Sequence, residues 1–193
     1  GARGLQTFAM ITLGTGVGSG VIFNGSPLQS RGVGSEWGIG LVGLGFERTH
    51  IEKKQAIYSQ TAEGLISGTG LAARARDLKL KSASGSLVQN SQELAELARA
   101  GDLRALKIFD EMAQALGALW ANLSLGLNLE VILLSGSLLK IEDLFLVKSK
   151  AYYVEAMAQL GPKFKCPIRK AKLGDHAPLI GAAYLNCQLS IKS

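Results

Sequence analysis

The chain has 193 residues, 47% of them hydrophobic and 19% charged, with a mean hydropathy of +0.21. It is too apolar for a disordered segment and long enough to bury its own core without disulfide staples. Lys and Arg outnumber Asp and Glu by 21 to 15, a net charge of +6, which permits anionic ligands without choosing among them. Basic residues are scattered rather than interleaved with aromatics, so no nucleic-acid surface is indicated. Glycine is the anomaly, with 24 residues against 4 prolines where average usage is about 7% glycine. One domain, or one lobe of something larger, is the expectation.

In chain order, strands are expected near residues 7–13, 18–24 and 26–31. Between the first two lies Gly14-Thr15-Gly16-Val17-Gly18-Ser19-Gly20, and Asn24-Gly25 marks a tight hairpin between the second and third. An irregular glycine-rich stretch, residues 32–60, reads as a functional or connecting loop because glycine disfavours helix interiors. Helical patterning runs from Thr61 through Arg76 and pauses over the polar residues 81–90. It resumes after Ser91, taken as an N-cap, with Leu94, Leu97 and Ala98 on one face. Asp102 caps a long helix on which Leu103, Leu106, Phe109, Ala113, Leu116, Trp120 and Leu123 recur every three or four residues.

Val131-Ile132-Leu133-Leu134 is a short buried strand that ends in Ser135-Gly136-Ser137, and a helical stretch follows to Ala158. Residues 168–171 form a last strand after Pro167, and Asp175 caps a closing helix through Leu185. The apolar residues 112–129 carry Gln114, Asn122, Ser124 and Asn128, which suits a buried helix rather than a membrane span. Cys166 and Cys187 form no metal motif, and as free thiols they fit a reducing compartment. With no signal pattern at the start, a cytoplasmic protein without membrane attachment is expected. The resulting order is β-β-β, helices, β, helix, β, helix. By analogy it is that of a ribonuclease H-like lobe of the actin-like ATPase fold, an α/β architecture with a mixed β-sheet flanked by helices.

Gly14 to Gly20 lacks the G-K-[ST] ending of a Walker A loop. Ser19 or Val21 stands where a dinucleotide fingerprint needs its third glycine. Two readings remain from the residues: a bulged hairpin without ligand, or a turn whose exposed N–H groups and small side chains let a phosphate approach, with Thr15 adding a hydroxyl.

Three segments together resemble the C-terminal lobe of bacterial glucokinases, the ROK family and its zinc-free relatives. Residues 11–20 match the second phosphate loop. Glu36-Trp37-Gly38-Ile39 resembles E-x-G-H, and Glu63 with Ser67-Gly68-Thr69-Gly70-Leu71 resembles the E-x-x-x-S-G-x-G-L of the zinc-free branch. Residues 131–137 and 173–183 resemble the adenosine-side glycine motif and the closing helix. The resemblance implies an ATP-dependent sugar kinase in which Glu36 and Glu63 hold sugar hydroxyls and Gly14, Thr15, Gly16 and Gly18 face the transferred phosphate. Gly136 and Ser137 would approach the nucleotide at a helix N-terminus, and Mg²⁺ would accompany ATP.

It also implies that the general-base aspartate and a first phosphate loop precede Gly1, so that residues 1–193 form the C-terminal lobe of a homodimeric kinase, with little catalysis of their own. A sugar-sensing domain of a ROK-type transcription regulator is the alternative. No zinc is expected, because Ile39, Lys54, Ala56 and Thr61 stand where the zinc-bearing relatives place histidine and cysteines. An isoleucine at position 39 also removes a hydrogen-bonding partner for sugar.

Overall fold

The computed structural model describes residues 2–28, 35–42, 57–161 and 165–173. The first strand, β1 (Phe8–Leu13), alternates buried Ala9, Ile11 and Leu13 with half-buried Phe8, Met10 and Thr12, the pattern of a strand with one core-facing side. It pairs antiparallel with β2 (Val17–Phe23), and β2 pairs with the short β3 (Ser26–Pro27). Asn24 and Gly25 both take positive φ, 50° and 77°, as the expected two-residue hairpin requires. On the other side of β1 lie β4 (Val131–Ser135) and then β5 (Ile168–Lys170), each paired in parallel with its neighbour. The sheet order is β3-β2-β1-β4-β5. Every residue of β4 is buried, as a continuous apolar strand beside β1 should be.

Five α-helices are described: α1 (Ala62–Ile66), α2 (Gly68–Asp77), α3 (Ser91–Arg99), α4 (Leu103–Leu127) and α5 (Leu146–Gln159). Asp102 caps α4 as expected, its carboxylate accepting from the Arg104 and Ala105 N–H groups. Among the described residues no helix is long and apolar enough to cross a membrane. The core is one cluster in which Ile11, Leu13 and Ile132 from the sheet meet Leu65, Leu71, Leu116 and Trp120 from the helices.

Close packing of α4 on α5 depends on Gly117, where an added Cβ would lie 2.8 Å from Tyr152 Cβ and 3.0 Å from Tyr153 N. The Tyr153 hydroxyl hydrogen-bonds Ser124 Oγ at 3.0 Å and accepts from the Cys166 N–H at 2.7 Å. That one hydroxyl ties α4 and α5 to the segment leading into β5. Arg74 bridges α1 and α2 to α4, donating to the Leu65 carbonyl at 3.3 Å and pairing with Glu111.

Several expected boundaries shift, each for a local reason. Strand pairing extends to Val17, opposite Leu13, so the first turn is shorter than residues 14–20. The helical run from Thr61 is broken at Ser67, whose extended backbone and Oγ cap α2 through the Gly70 N–H. Asn90 rather than Ser91 caps α3: its Oδ1 accepts from the Glu93 N–H at 2.9 Å while Glu93 Oε2 reaches back to the Gln89 N–H at 3.0 Å. The stretch after Gly136 opens as a 3-10 segment, Ser137–Leu144, kinked at Ile141, before α5 begins. β5 ends at Lys170, one residue short of the expected 171. Residues 29–31 of the third expected strand, and Asp175 with the closing helix, lie outside the described residues.

Candidate functional site

The turn between β1 and β2 is closed by the Gly14 N–H donating to the Gly16 carbonyl at 3.0 Å. It is braced from behind by the start of α2, where the Gly68 N–H donates to the Gly14 carbonyl at 2.8 Å and the Thr69 N–H to the Thr15 carbonyl at 3.2 Å. The first N–H groups of a helix lack intrahelical partners. Two of those of α2, on Gly68 and Thr69, hold the turn, while the Gly70 N–H goes to Ser67 Oγ. Gly68 eases this approach, since a Cβ there would make a tight 3.2 Å contact with the Gly14 carbonyl oxygen.

On one side of the turn lies a cavity of about 320 Å³, within the size range of small-molecule sites. Its walls are Gly14 and Thr15 of the turn; Gly68, Thr69, Ala72 and Arg76 of α2; Gln89, Asn90 and Ser91 at the start of α3; and Ser137 with Leu138. Positions 68, 72 and 76 follow four-residue spacing, so one face of α2 lines it. No carboxylate is among these residues. Arg76 is half-buried and has no salt bridge among the described residues. Four hydroxyls, from Thr15, Thr69, Ser91 and Ser137, accompany this cation. The chemistry suits a polyanion.

At the Gly16–Val17 end of the turn, and not among the cavity's lining residues, stands Glu63, in the first turn of α1. Its Oε2 accepts from the Val17 N–H at 3.0 Å, and its Oε1 accepts from the Tyr58 hydroxyl at 2.9 Å. A Cβ on Gly16 would lie 2.6 Å from Oε2, so the glycine leaves room for the carboxylate to reach the backbone. Partial burial, then the hydrogen bond to Glu63 and its charge, push the Tyr58 phenol up to about 12. The phenol therefore stays a donor throughout the neutral range.

Glu36 precedes a single 3-10 turn, Trp37–Ile39, and is exposed. That turn is seated on β2: the Trp37 N–H donates to Ser19 Oγ at 2.9 Å, Ser19 Oγ donates to the Ser35 carbonyl, and a Cβ on Gly38 would meet the Val17 carbonyl oxygen at 2.2 Å. It is joined to α1 as well, by the Ala62 N–H donating to the Gly40 carbonyl at 2.8 Å and by the bridge between Leu41 and Thr61. The elements carrying the two glutamates are thus adjacent. Ile39 is 56% exposed beside them.

Of the residues singled out from sequence, Gly14, Thr15 and Ser137 meet at the cavity, while Gly16 and Glu63 meet across the turn. Gly18 is not brought to the cavity; it sits in β2 opposite Thr12, exposed. Gly136 does not line the cavity either. Its φ of 105° and ψ of 167° are open essentially to glycine alone, and a Cβ there would lie 2.2 Å from the Leu13 carbonyl oxygen. It lets the chain leaving β4 cross the end of β1 and so sets Ser137 beside Gly14.

Arg76, Gln89 and Tyr58 were not anticipated. The four-residue register from Gly68 could have pointed to Arg76, whereas Tyr58 had no signal in a stretch read as loop. Among the described residues no group of three or more His, Cys, Asp or Glu could hold a metal ion. Lys54, Ala56, His50 and His176 lie outside them.

The chain is 31% identical over 192 residues to a glucokinase of Halalkalibacterium halodurans, covering 94% of this chain and 56% of the relative. It is 28% identical over 180 residues to an N-acetylmannosamine kinase of Haemophilus influenzae, covering 93% of this chain and 55% of the relative. Its fold is similar to that of a ROK family glucokinase from Streptomyces griseus solved with glucose and AMPPNP. There the TM-score is 0.69 and the identity 25%, covering 96% of this chain and 62% of that one. The chain spans about half the length of the curated relatives it matches. Its mixed sheet flanked by helices is that of sugar kinases with the actin-like ATPase fold. The ROK family profile matches residues 1–188, and the chain belongs to the ROK family.

Proposed function

We propose that this chain is the C-terminal lobe of an ATP-dependent sugar kinase, which transfers the terminal phosphoryl group of the nucleotide to a sugar hydroxyl. The observation that carries the proposal is that the turn and the start of β2 touch two unlike surfaces. At Gly14 and Thr15 is a cavity with an arginine, four hydroxyls and no carboxylate among its described lining residues. At Gly16 and Val17 is a carboxylate held against the backbone. A phosphate donor and a hydroxylic acceptor are recognised by these two kinds of surface, and the turn that touches both is where the transferred group would pass.

Carboxylate oxygens accept strongly from vicinal hydroxyls and so orient a sugar ring. Glu63 and Glu36 take that role. Arg76, Thr15 and Ser137 would hold the donor. Mg²⁺ would accompany the nucleotide's phosphates and would neutralise charge on the transferring phosphoryl group. The residues of this chain bind and align, while accepting the sugar's proton belongs to an aspartate of the other lobe. The names of the relatives, a glucokinase and an N-acetylmannosamine kinase, support an aldohexose or its N-acyl amino derivative as acceptor. Exposed Ile39 offers that acceptor no hydrogen bond. The same proposal includes a cytoplasmic homodimer. Free, buried Cys166, its thiol pushed up to about 11 by burial, fits a reducing compartment.

The test is ADP release by the full-length protein across a hexose and N-acyl hexosamine panel. Turnover with at least one sugar, falling sharply in Glu36→Gln, supports the proposal. Unchanged turnover in that variant removes Glu36 from the sugar site, and binding of sugar without turnover points instead to a sensing domain.

A further inference from the structure

Both oxygens of Glu63 have a donor, and the two donors differ in kind. Val17 N–H belongs to the strand that leaves the turn, so Oε2 is anchored to the backbone that would face the phosphate. Oε1 is anchored, among the described residues, by the Tyr58 hydroxyl, five residues earlier in the chain. Tyr58 is itself held at its backbone, because its carbonyl accepts from the Thr61 N–H at 3.0 Å and from Thr61 Oγ1 at 2.7 Å. The same Thr61 Oγ1 caps α1 by accepting from the Gly64 N–H at 3.0 Å. Gly64 permits this closeness, since a Cβ there would stand 2.1 Å from the Tyr58 carbonyl oxygen. The phenol and the carboxylate thus spring from one locked cap. Tyr58 as a whole remains 44% exposed, so its hydroxyl is not needed to satisfy a buried cavity.

A carboxylate anchored through one oxygen can still turn about its last torsion, which has no sharp rotamer wells. Anchored through both, it presents its remaining lone pairs in one direction. We propose that Tyr58 is a positioning residue for the sugar: its hydroxyl fixes the plane of the Glu63 carboxylate against the phosphate turn, so that the carboxylate's free lone pairs meet the sugar hydroxyls already oriented. The proposal rests on Glu63 being a sugar contact. It assigns Tyr58 an effect on sugar affinity that passes through Glu63 and leaves the donor side untouched.

A double-mutant cycle in the full-length protein tests it, with Tyr58→Phe, Glu63→Gln and the pair, each read as KM for sugar, KM for ATP, kcat and thermal midpoint. Tyr58→Phe removes one hydrogen bond to a charged group that water can partly replace, so the sugar KM should rise about three- to tenfold. The ATP KM and kcat should stay within about twofold, and the midpoint within about 2 °C. In the Glu63→Gln background the Tyr58→Phe effect should largely vanish. A sugar KM unchanged in Tyr58→Phe while Glu63→Gln loses sugar affinity overturns the role of Tyr58 alone. An effect of equal size in both backgrounds also overturns it, because Tyr58 would then act without Glu63. Unchanged sugar affinity in Glu63→Gln overturns the sugar-site assignment and the proposal together.

Discussion

Gly16→Ala separates the two sides of the turn. Gly16 has no positive φ, so alanine meets no backbone strain; its methyl group would instead stand 2.6 Å from Glu63 Oε2, and ordinary contact begins near 3.4 Å. The carboxylate must retreat by about 0.8 Å, the difference of those two distances. That stretches its 3.0 Å hydrogen bond from the Val17 N–H beyond useful range. A hydrogen bond to a charged acceptor contributes about 1.5 kcal/mol at the low end, suitable for a half-buried group. The stiffer unfolded chain of the alanine variant returns about 0.4–1 kcal/mol. Net stability should therefore fall by no more than about 1 kcal/mol, a drop in thermal midpoint of about 2–4 °C. The functional effect is larger in proportion. A displaced Glu63 should raise the sugar KM about tenfold, equivalent to about 1.4 kcal/mol, with the ATP KM within about twofold. Gly14→Ala is the matched control, because its methyl would meet, among the described residues, Ser137 Oγ at an ordinary 3.7 Å at the cavity wall; it should raise the ATP KM and spare the sugar. Steady-state kinetics of the full-length variants, with differential scanning fluorimetry alongside, decide the matter. A Gly16→Ala enzyme with normal sugar KM and impaired ATP KM would refute the placing of Glu63 on the acceptor side.

Arg76→Ala should raise the ATP KM about three- to tenfold and leave the sugar KM within about twofold, since Arg76 lines the cavity and charge-assisted contacts to phosphate are of that strength; equal effects on both substrates would contradict it. Gly136→Ala combines a φ of 105° with a methyl 2.2 Å from the Leu13 carbonyl oxygen. It should cost about 3 kcal/mol or more, read as a midpoint lowered by about 6–12 °C, and a near-native midpoint would contradict the packing of β1 on the Gly136 turn. The hydrogen bond from Lys148 holds the Asp110 carboxyl below its usual range, ahead of the opposing effect of burial and the further bonds from Gln114 and Tyr152. A depressed folded-state value adds stability that is present above the unfolded value near 3.9 and is lost as pH falls through the folded one. The midpoint difference between the wild type and Lys148→Met should therefore be largest at neutral pH and shrink below about pH 4 in a thermal-melt series; a difference that grows in acid would contradict the pairing.

Local signals made the sheet and the long helix legible. The Asn24-Gly25 pair set a hairpin with both residues at positive φ because few other dipeptides tolerate that turn. Asp102 capped α4 because a carboxylate before an apolar periodic run has one evident use. Boundaries failed where neighbouring chemistry competed. Ser67 offered a hydroxyl in mid-run and began a new helix, and Asn90 with Glu93 formed a stronger cap than Ser91.

At the site, Gly14, Thr15 and Glu63 were legible through motif resemblance. The partners that hold them were not, because the Val17 N–H reaches Glu63 across 46 residues and the Tyr58 hydroxyl comes from a stretch that reads as loop in the sequence. Gly136 illustrates the same limit. Its place in a motif was evident, but the backbone crossing that demands a glycine there arises only once β4 lies beside β1.

Phosphoryl transfer to a sugar at the turn near Glu63 can be followed by phosphorus NMR of the full-length protein incubated with ATP, Mg²⁺ and each member of the sugar panel. A sugar phosphate and ADP should appear in equal amounts for at least one sugar, with both signals strongly reduced in Glu63→Gln. ATP left intact with every sugar, or consumed only to inorganic phosphate, would contradict it.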